Sequence, residues 1–294
     1  MREFERYHPI VNFIYFLAVI AFSVVFMHPI CIAISVFCAV FYSILIKGRR
    51  AVMFSLIYML PLFILTAILN PVFNHAGITI LTYLPGGNPL TLESLIYGLC
   101  AAGMLVSVIS WFSCFGEIVS GDKFIYLFGK ILPSLALVLS MAFRFVPKFG
   151  RDIKEISDAQ KGIGQKDGKT RVEKAKAGVG ILSVMITESL ENAADTALSM
   201  KSRGWGSGRR TSFSNYKFTS RDTSALCITI LLFAVVLLMA LFEGIPAEFF
   251  PKIKFCTPNR ENAIFFAAYF ALSALPIIIE IKEALRWKKS RSKI

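Results

Sequence analysis

Long apolar runs, separated by short polar or basic stretches, dominate the chain. Six of these runs approach the length of about 20 residues that a helix needs to cross the hydrocarbon core of a bilayer. They cover residues 10–27, 30–46, 51–69, 94–115, 225–242 and 263–281. The pattern therefore predicts an all-α integral membrane protein with about six transmembrane helices.

A seventh apolar run, 124–146, differs because charged residues and a proline interrupt it. Lys130 and Arg144 leave thirteen uncharged residues between them, and Pro133 is one of these. If this run crossed, the fifteen Lys and Arg residues of 147–222 would lie outside the cell, against the tendency of basic segments to stay in the cytoplasm. We therefore predict that 124–146 lies at the inner membrane surface and that an amphipathic helix follows it to Gln160.

The stretch 169–205 has the pattern of one long amphipathic helix. Its apolar positions are spaced by threes and fours from Val179 onward, which predicts an apolar face that lies against another surface. These positions are Val172, Val179, Leu182, Ile186, Leu190, Ala193, Ala197 and Met200. The opposite face carries Glu188, Glu191, Asn192, Asp195 and Ser199. Gly204 or Gly206 can end the helix in the left-handed conformation, and Arg203 can cap its last carbonyls.

The segment 70–91 contains no Lys or Arg, which is typical of an external segment. Its β-branched and aromatic residues 78–84, followed by a Pro-Gly-Gly-Asn turn, predict a small external hairpin. The net charge is +13, and the basic residues that produce it gather at 47–50, 148–221 and 282–293, outside the apolar runs. The positive-inside rule explains this distribution without a nucleic-acid partner, and it places both termini in the cytoplasm.

Three parts follow from this pattern. An N-terminal membrane part covers residues 1–121, a cytoplasmic or interfacial helical part covers 122–222, and a C-terminal membrane part with a basic tail covers 223–294.

The sequence lacks the chemistry of an enzyme or a coupled carrier. No span centre carries a charged residue, and we expect the three histidines, His8, His28 and His75, to face solvent. Residues 164–170 come close to a phosphate-binding loop, but Ile163 occupies the position of its first glycine. We therefore expect no catalytic residue, no cofactor and no metal site in this chain.

The helix end 193–205 resembles the second coupling motif of the transmembrane T component of energy-coupling factor (ECF) transporters, which are related to the cobalt-transport permeases. That motif is an Ala-rich helix ending in Ala-Arg-Gly and an aromatic residue; here Ser202 replaces the alanine before Arg203 and Gly204. The segments 144–147, 70–77 and 88–93 are also similar to the family. In the first coupling motif, Ile163 stands where the family has arginine; the motif comprises Ala159, Gln160, Lys161, Gly162, Ile163 and Gly164.

The resemblance implies a non-catalytic scaffold in the cell membrane that couples ATP hydrolysis to uptake of a vitamin, a metal ion or a similar micronutrient. Two ABC ATPase subunits would bind the two coupling motifs. A small membrane subunit that captures the substrate would lie over the apolar residues Leu135, Val138, Leu139 and Phe143.

Three alternatives remain open. In a conventional ABC permease, the spans themselves would form the substrate path. An intramembrane transferase would need an Asp-rich or His-containing motif at a span end. A structural membrane protein would bind lipid through its basic surface, and Arg203 would be only a helix cap.

Overall fold

The structure is a computed structural model that describes residues 3–83, 89–129, 131–163, 170–208, 216–243, 249–250, 253 and 260–291. The chain divides into two compact units. The first, the membrane unit, comprises residues 1–120 and 216–294. The second, the α6–α8 unit, comprises residues 121–215.

The membrane unit consists of helices and one short hairpin. Its elements are α1 (Pro9–Val25), α2 (Pro29–Lys47), α3 (Arg49–Phe54), a π-helical segment (Ser55–Met59), α4 (Leu60–Phe73), β1 (Ile80–Tyr83), β2 (Pro89–Thr91), α5 (Leu92–Ile118), α9 (Ser220–Glu243) and α10 (Arg260–Arg291). Among the described residues, five helical segments are long and apolar enough to cross a membrane, and α1 is a shorter apolar helix of 17 residues. The predicted all-α membrane fold is confirmed.

The third of the predicted spans is one continuous helical segment, Arg49–Phe73, with a π-helical segment at Ser55–Met59. The π-helical segment ends two residues before Pro61. Proline has no N–H to donate, and its ring would collide with a carbonyl one turn earlier in a regular α-helix. A local widening of the helix accommodates the proline.

Two histidines cap helices, which corrects the expectation that they face solvent. His8 and His28 are both buried, and their Nδ1 atoms accept the N–H groups of Ile10 and Ile30 at 3.3 Å. Each precedes a proline at the first turn of its helix, a position that suits proline. Burial lowers the pKa of His28, which keeps its imidazole neutral and able to accept.

Buried hydroxyl groups connect four helices inside the membrane unit. Ser35 of α2 lies 2.7 Å from the hydroxyl of Ser23 in α1 and 2.5 Å from that of Ser107 in α5. The indole N–H of Trp111 donates to the same Ser35 oxygen at 3.0 Å, and the hydroxyl of Tyr269 in α10 lies 3.4 Å from Ser23. Such hydrogen bonds between helices fix their relative rotation where water is excluded.

Polar contacts place several helix ends at the same end of the membrane unit. The carboxylate of Asp222, at the start of α9, accepts the N–H of His8 at 2.9 Å. The carboxylate of Glu280, near the end of α10, accepts the N–H of Phe4 at 3.1 Å. The N-terminal segment, the start of α9 and the last turns of α10 therefore lie together.

The predicted hairpin is present, with β1 and β2 paired antiparallel, and its turn residues 84–88 lie outside the described part of the chain. Glu93, which is buried, holds the base of the hairpin. Its carboxylate accepts the hydroxyl of Thr79 at 2.8 Å and the N–H of Thr79 at 3.2 Å. A Cβ at Gly77, whose φ is +136°, would lie 2.6 Å from the Glu93 carboxylate.

The α6–α8 unit consists of α6 (Gly121–Gly129), α7 (Pro133–Gly162) and α8 (Arg171–Ser202). Neither α6 nor α7 is among the helices suited to cross a membrane. Helix α8 covers most of the predicted helix 169–205. Thr170 and Glu173 begin it with a capping box, in which each side chain accepts the backbone N–H of the other residue.

Candidate functional site

The C-terminal end of α8 is closed by a Schellman motif. The N–H of Trp205 donates to the carbonyl of Met200, and the N–H of Gly204 donates to that of Lys201, both at 3.0 Å. Gly204 has a φ of +83°, the left-handed conformation that this motif requires and that glycine adopts without strain. The predicted left-handed glycine at the helix end is therefore confirmed.

Arg203 occupies the C-cap position of α8, directly before Gly204, and is exposed. Backbone N–H groups supply the capping hydrogen bonds. The guanidinium itself makes no hydrogen bond or ion pair with any residue that the structure describes. Ser202 donates its hydroxyl to the carbonyl of Ser199 at 2.9 Å, within the helix. Arg203 therefore presents an exposed planar donor group at a capped helix end, and such a group can pair with a carboxylate through two hydrogen bonds.

The C-terminal end of α7 differs from that of α8. The helix ends at Gly162, and the N–H of Ile163 donates to the carbonyl of Ala159 at 3.1 Å. Ile163 is 88% exposed, Lys161 is exposed and Gln160 is half-buried. Gly164, the last residue of the predicted first coupling motif, lies outside the described residues.

Helices α7 and α8 share a groove of about 350 Å³, which we call the α7–α8 groove. It is lined by Met141, Arg144, Phe145, Lys148, Arg151, Asn192, Thr196 and Met200. The C-terminal part of α8 thus lies beside the middle of α7. Along α7, Ile163 follows Arg151 by twelve residues, about 18 Å of helix, whereas Arg203 follows Met200 on α8 by only three residues.

The face of α8 that packs on α7 is not the predicted apolar stripe. The half-buried positions are Ala177, Gly180, Ile181, Met185, Ser189, Asn192, Thr196 and Met200. Several of these are small or polar, and small side chains let two helices approach closely. Asn192, which was expected on the polar face, is among them. Val179, Ile186 and Leu190, from the predicted stripe, are 66%, 50% and 68% exposed.

The N-terminal half of α7 presents an apolar surface. Leu135, Val138 and Phe143 are 49%, 63% and 50% exposed, and Leu139 is half-buried. The ring of Phe143 packs against Gly121 at the start of α6, where a Cβ would lie 3.0 Å from it. Three of the four residues predicted to contact a membrane partner are therefore accessible.

Sequence reasoning missed the α7–α8 groove as a site. Arg144, Lys148 and Arg151 follow one another at intervals of four and three residues, so they share one face of α7. That spacing was visible in the sequence. The facing residues, Asn192 and Thr196, were not predictable because they lie outside the apolar stripe.

Two further observations concern candidate ligand sites. Within the described residues, no group of three or more His, Cys, Asp or Glu side chains is placed to hold a metal ion. The membrane unit contains a cavity of about 780 Å³ between α2, α4 and α5, and apolar residues such as Ile32, Phe37, Phe63 and Leu99 line it.

A family model described as CbiQ, cobalt transport protein, matches residues 2–213. The chain is 35% identical over 107 residues to the energy-coupling factor transporter transmembrane protein EcfT of Lactococcus lactis subsp. cremoris, which covers 36% of this chain and 40% of that protein. It is 35% identical over 115 residues to EcfT of Lactobacillus helveticus, covering 38% of this chain and 41% of that protein.

A longer similarity, 28% identity over 210 residues, relates it to EcfT of Staphylococcus aureus and covers 68% of this chain and 76% of that protein. The matches to the first two relatives span about two fifths of their length. The family model, by contrast, covers well over half of this chain. The chain therefore belongs to the family of CbiQ cobalt transport proteins and ECF transporter transmembrane components.

Proposed function

We propose that this chain is the non-catalytic transmembrane scaffold of an ECF-type importer, which couples ATP hydrolysis by partner subunits to uptake of a vitamin, a metal ion or a similar micronutrient. The observation that carries this proposal is Arg203, which is exposed at the end of a long helix and pairs with no residue in the described part of the chain. The Schellman motif at Gly204 keeps the last turn of α8 closed, so the position of Arg203 on the helix is defined.

Each of the two coupling ends binds one ABC ATPase subunit. Ile163 lies about 18 Å of helix beyond the α7–α8 groove and Arg203 lies within one turn of it, so the two ends are separate contact points. At Arg203 the guanidinium pairs with a carboxylate of the ATPase, as interface arginines commonly do. At the other end, the exposed Ile163 contributes an apolar contact, and the exposed Lys161 supplies a cation as a point charge.

The small substrate-binding membrane subunit lies over the apolar surface of α7. Leu135, Val138 and Phe143 are exposed on this helix, and Leu139 is half-buried beside them. A contiguous apolar surface of this kind is typical of a protein or lipid contact. A movement of the ATPases, passed along α7 and α8, would then shift this surface under the substrate-binding subunit.

The orientation follows from charge and from contacts within the membrane unit. The N-terminal segment and the last turns of α10 lie at the same end, as the contact between Phe4 and Glu280 indicates. The basic residues of 282–293 follow directly and favour the cytoplasm. Both termini are therefore cytoplasmic in a multi-pass protein of the cell membrane.

A conventional permease fits these observations less well. The cavity between α2, α4 and α5 is lined by apolar side chains, which suit a lipid chain and offer few hydrogen bonds to a polar micronutrient. The substrate path therefore belongs to the separate membrane subunit.

Co-purification with candidate ABC ATPase subunits tests the proposal. Arg203→Ala removes the guanidinium and is expected to weaken ATPase binding by about thirtyfold, the effect of losing an interface hot spot of about 2 kcal/mol. Lys201→Ala removes an exposed cation from the same helix end and serves as the matched control. Equal ATPase recovery with wild type and Arg203→Ala, or an equal loss in both variants, would contradict a specific ion pair at Arg203.

A further inference from the structure

The α7–α8 groove gathers positive charge on one wall. Arg144, Lys148 and Arg151 line it from α7, and none of its eight lining residues is acidic. The three cations make no ion pair or hydrogen bond through their side chains with any described residue. A concave surface with one sign of charge concentrates the field that attracts an anion.

The opposite wall offers hydrogen bonds. Asn192 and Thr196 line the groove from α8, one turn apart. The hydroxyl of Thr196 donates to the carbonyl of Asn192 at 2.7 Å, so its oxygen lone pairs remain free for an O–H donor. The Asn192 amide can donate to an oxyanion and accept from a hydroxyl. The groove therefore suits a phosphate group that carries a hydroxylated substituent.

The surroundings favour an amphipathic ligand over a free ion. Met141, Phe145 and Met200 complete the lining with apolar side chains. The exposed Val138 and Val146 lie nearby on α7, at 63% and 67% exposure. A helix that passes from exposed apolar residues to cations is typical of a segment at the membrane interface, where acyl chains and headgroup phosphates meet.

We propose that the α7–α8 groove binds the headgroup phosphate of an anionic phospholipid, with Arg144, Lys148 and Arg151 as its cationic contacts. The lipid would hold the helix pair at the inner surface of the bilayer. Neither Ile163 nor Arg203 lines the groove, although Met200 brings it within one turn of the α8 end, and lipid binding to it can be tested on the full chain alone.

The test measures lipid binding to the purified, delipidated full chain by native mass spectrometry. Dioctanoyl phosphatidylglycerol is titrated against wild type and against the triple variant Arg144→Gln, Lys148→Gln, Arg151→Gln. Each cation near an anionic lipid contributes about fivefold to binding, so the triple variant should bind about one-hundredfold more weakly. If the triple variant does not fold, as judged by circular dichroism, Lys148→Gln alone should bind about fivefold more weakly.

A matched control removes three other exposed cations of α7 and α8: Lys154→Gln, Lys174→Gln, Lys176→Gln. This control should bind the lipid as wild type does, and dioctanoyl phosphatidylcholine should bind wild type weakly. Equal losses in the two triple variants, or equal binding of the two lipids, would overturn the proposal.

Two other arms identify a different ligand. If inorganic phosphate displaces phosphatidylglycerol as effectively as unlabelled lipid does, the groove is a free-anion site and the lipid assignment is wrong. If wild type does not bind the lipid and the variant Arg144→Gln, Lys148→Gln, Arg151→Gln instead loses ATPase subunits, the three cations belong to a protein interface. The proposal is supported if the groove variant binds phosphatidylglycerol more weakly than wild type while the control variant binds it as wild type does.

Discussion

The left-handed glycine at the end of α8 gives a sharp prediction for Gly204→Ala. At a φ of +83°, alanine costs about 1–2 kcal/mol more than glycine because its Cβ crowds the following carbonyl. The added Cβ would lie 3.2 Å from Ser207 Oγ, which can rotate away, so backbone strain dominates. The Schellman motif should therefore open about 5- to 30-fold more often, since about 1.4 kcal/mol corresponds to tenfold.

Amide hydrogen exchange measures this opening directly. The N–H of Trp205 bonds to the carbonyl of Met200 only while the motif is closed. Hydrogen exchange at Trp205 should therefore be about 5- to 30-fold faster in Gly204→Ala than in wild type. ATPase binding should weaken by a similar factor because the orientation of Arg203 depends on the closed motif. Far-ultraviolet circular dichroism checks that the fold is intact.

Two control variants separate backbone strain from other effects. Asparagine visits the left-handed region more readily than alanine, so Gly204→Asn should lie between wild type and Gly204→Ala. Gly208→Ala adds a Cβ in open space at an ordinary φ and should leave the exchange of Trp205 unchanged. Unchanged exchange in Gly204→Ala, or equal acceleration in the alanine and asparagine variants, would refute the strain argument.

Three further variants test other parts of the chain. Gly77→Ala places a Cβ 2.6 Å from the buried carboxylate of Glu93 and should lower the free energy of unfolding in detergent by about 1–3 kcal/mol. Gly116→Ala adds a Cβ in open space and should not lower this free energy. Equal losses of stability in the two variants would contradict the crowding at Gly77. Ser35→Ala leaves the buried Trp111 N–H without its acceptor and should cost about 1–2 kcal/mol; an unchanged unfolding midpoint would contradict this. Ile163 is 88% exposed, so Ile163→Arg should change the free energy of unfolding by less than about 0.5 kcal/mol. The same variant should bind the ATPase more tightly. Loss of ATPase binding would contradict a site on the ATPase that accepts a cation at this helix end.

Local signals made the helix ends predictable from the sequence. The end of α8 at Arg203 and Gly204 depends on the conformational freedom of one glycine. The start of α7 depends on Pro133, because the missing N–H and fixed φ of proline suit the first turn of a helix. The His-Pro pairs at the starts of α1 and α2 were equally local. They were misinterpreted because histidine is not among the common N-cap residues, although its ring nitrogen can accept the same N–H.

Contacts between helices were not predictable in the same way. Helix α8 was expected to use its apolar stripe, yet its face toward α7 includes Asn192 and Thr196, while Leu190 is 68% exposed. In a soluble domain the apolar face turns inward because water excludes it. A helix that contacts lipid or membrane partners keeps apolar residues outside, so periodicity alone does not identify its packed face.

The most direct test of the proposed scaffold counts the ATPase subunits that one chain binds through its two helix ends. Ile163→Cys and Ser202→Cys place reactive thiols at the exposed ends of α7 and α8, and each single variant is cross-linked to the candidate ATPase subunits beside the doubly substituted chain. Each single variant should capture one ATPase, and the double variant should capture two on the same chain. Capture of a single ATPase by the double variant, or cross-linking no stronger than that of the chain with only its native cysteines, would contradict a scaffold that binds one ATPase at each end.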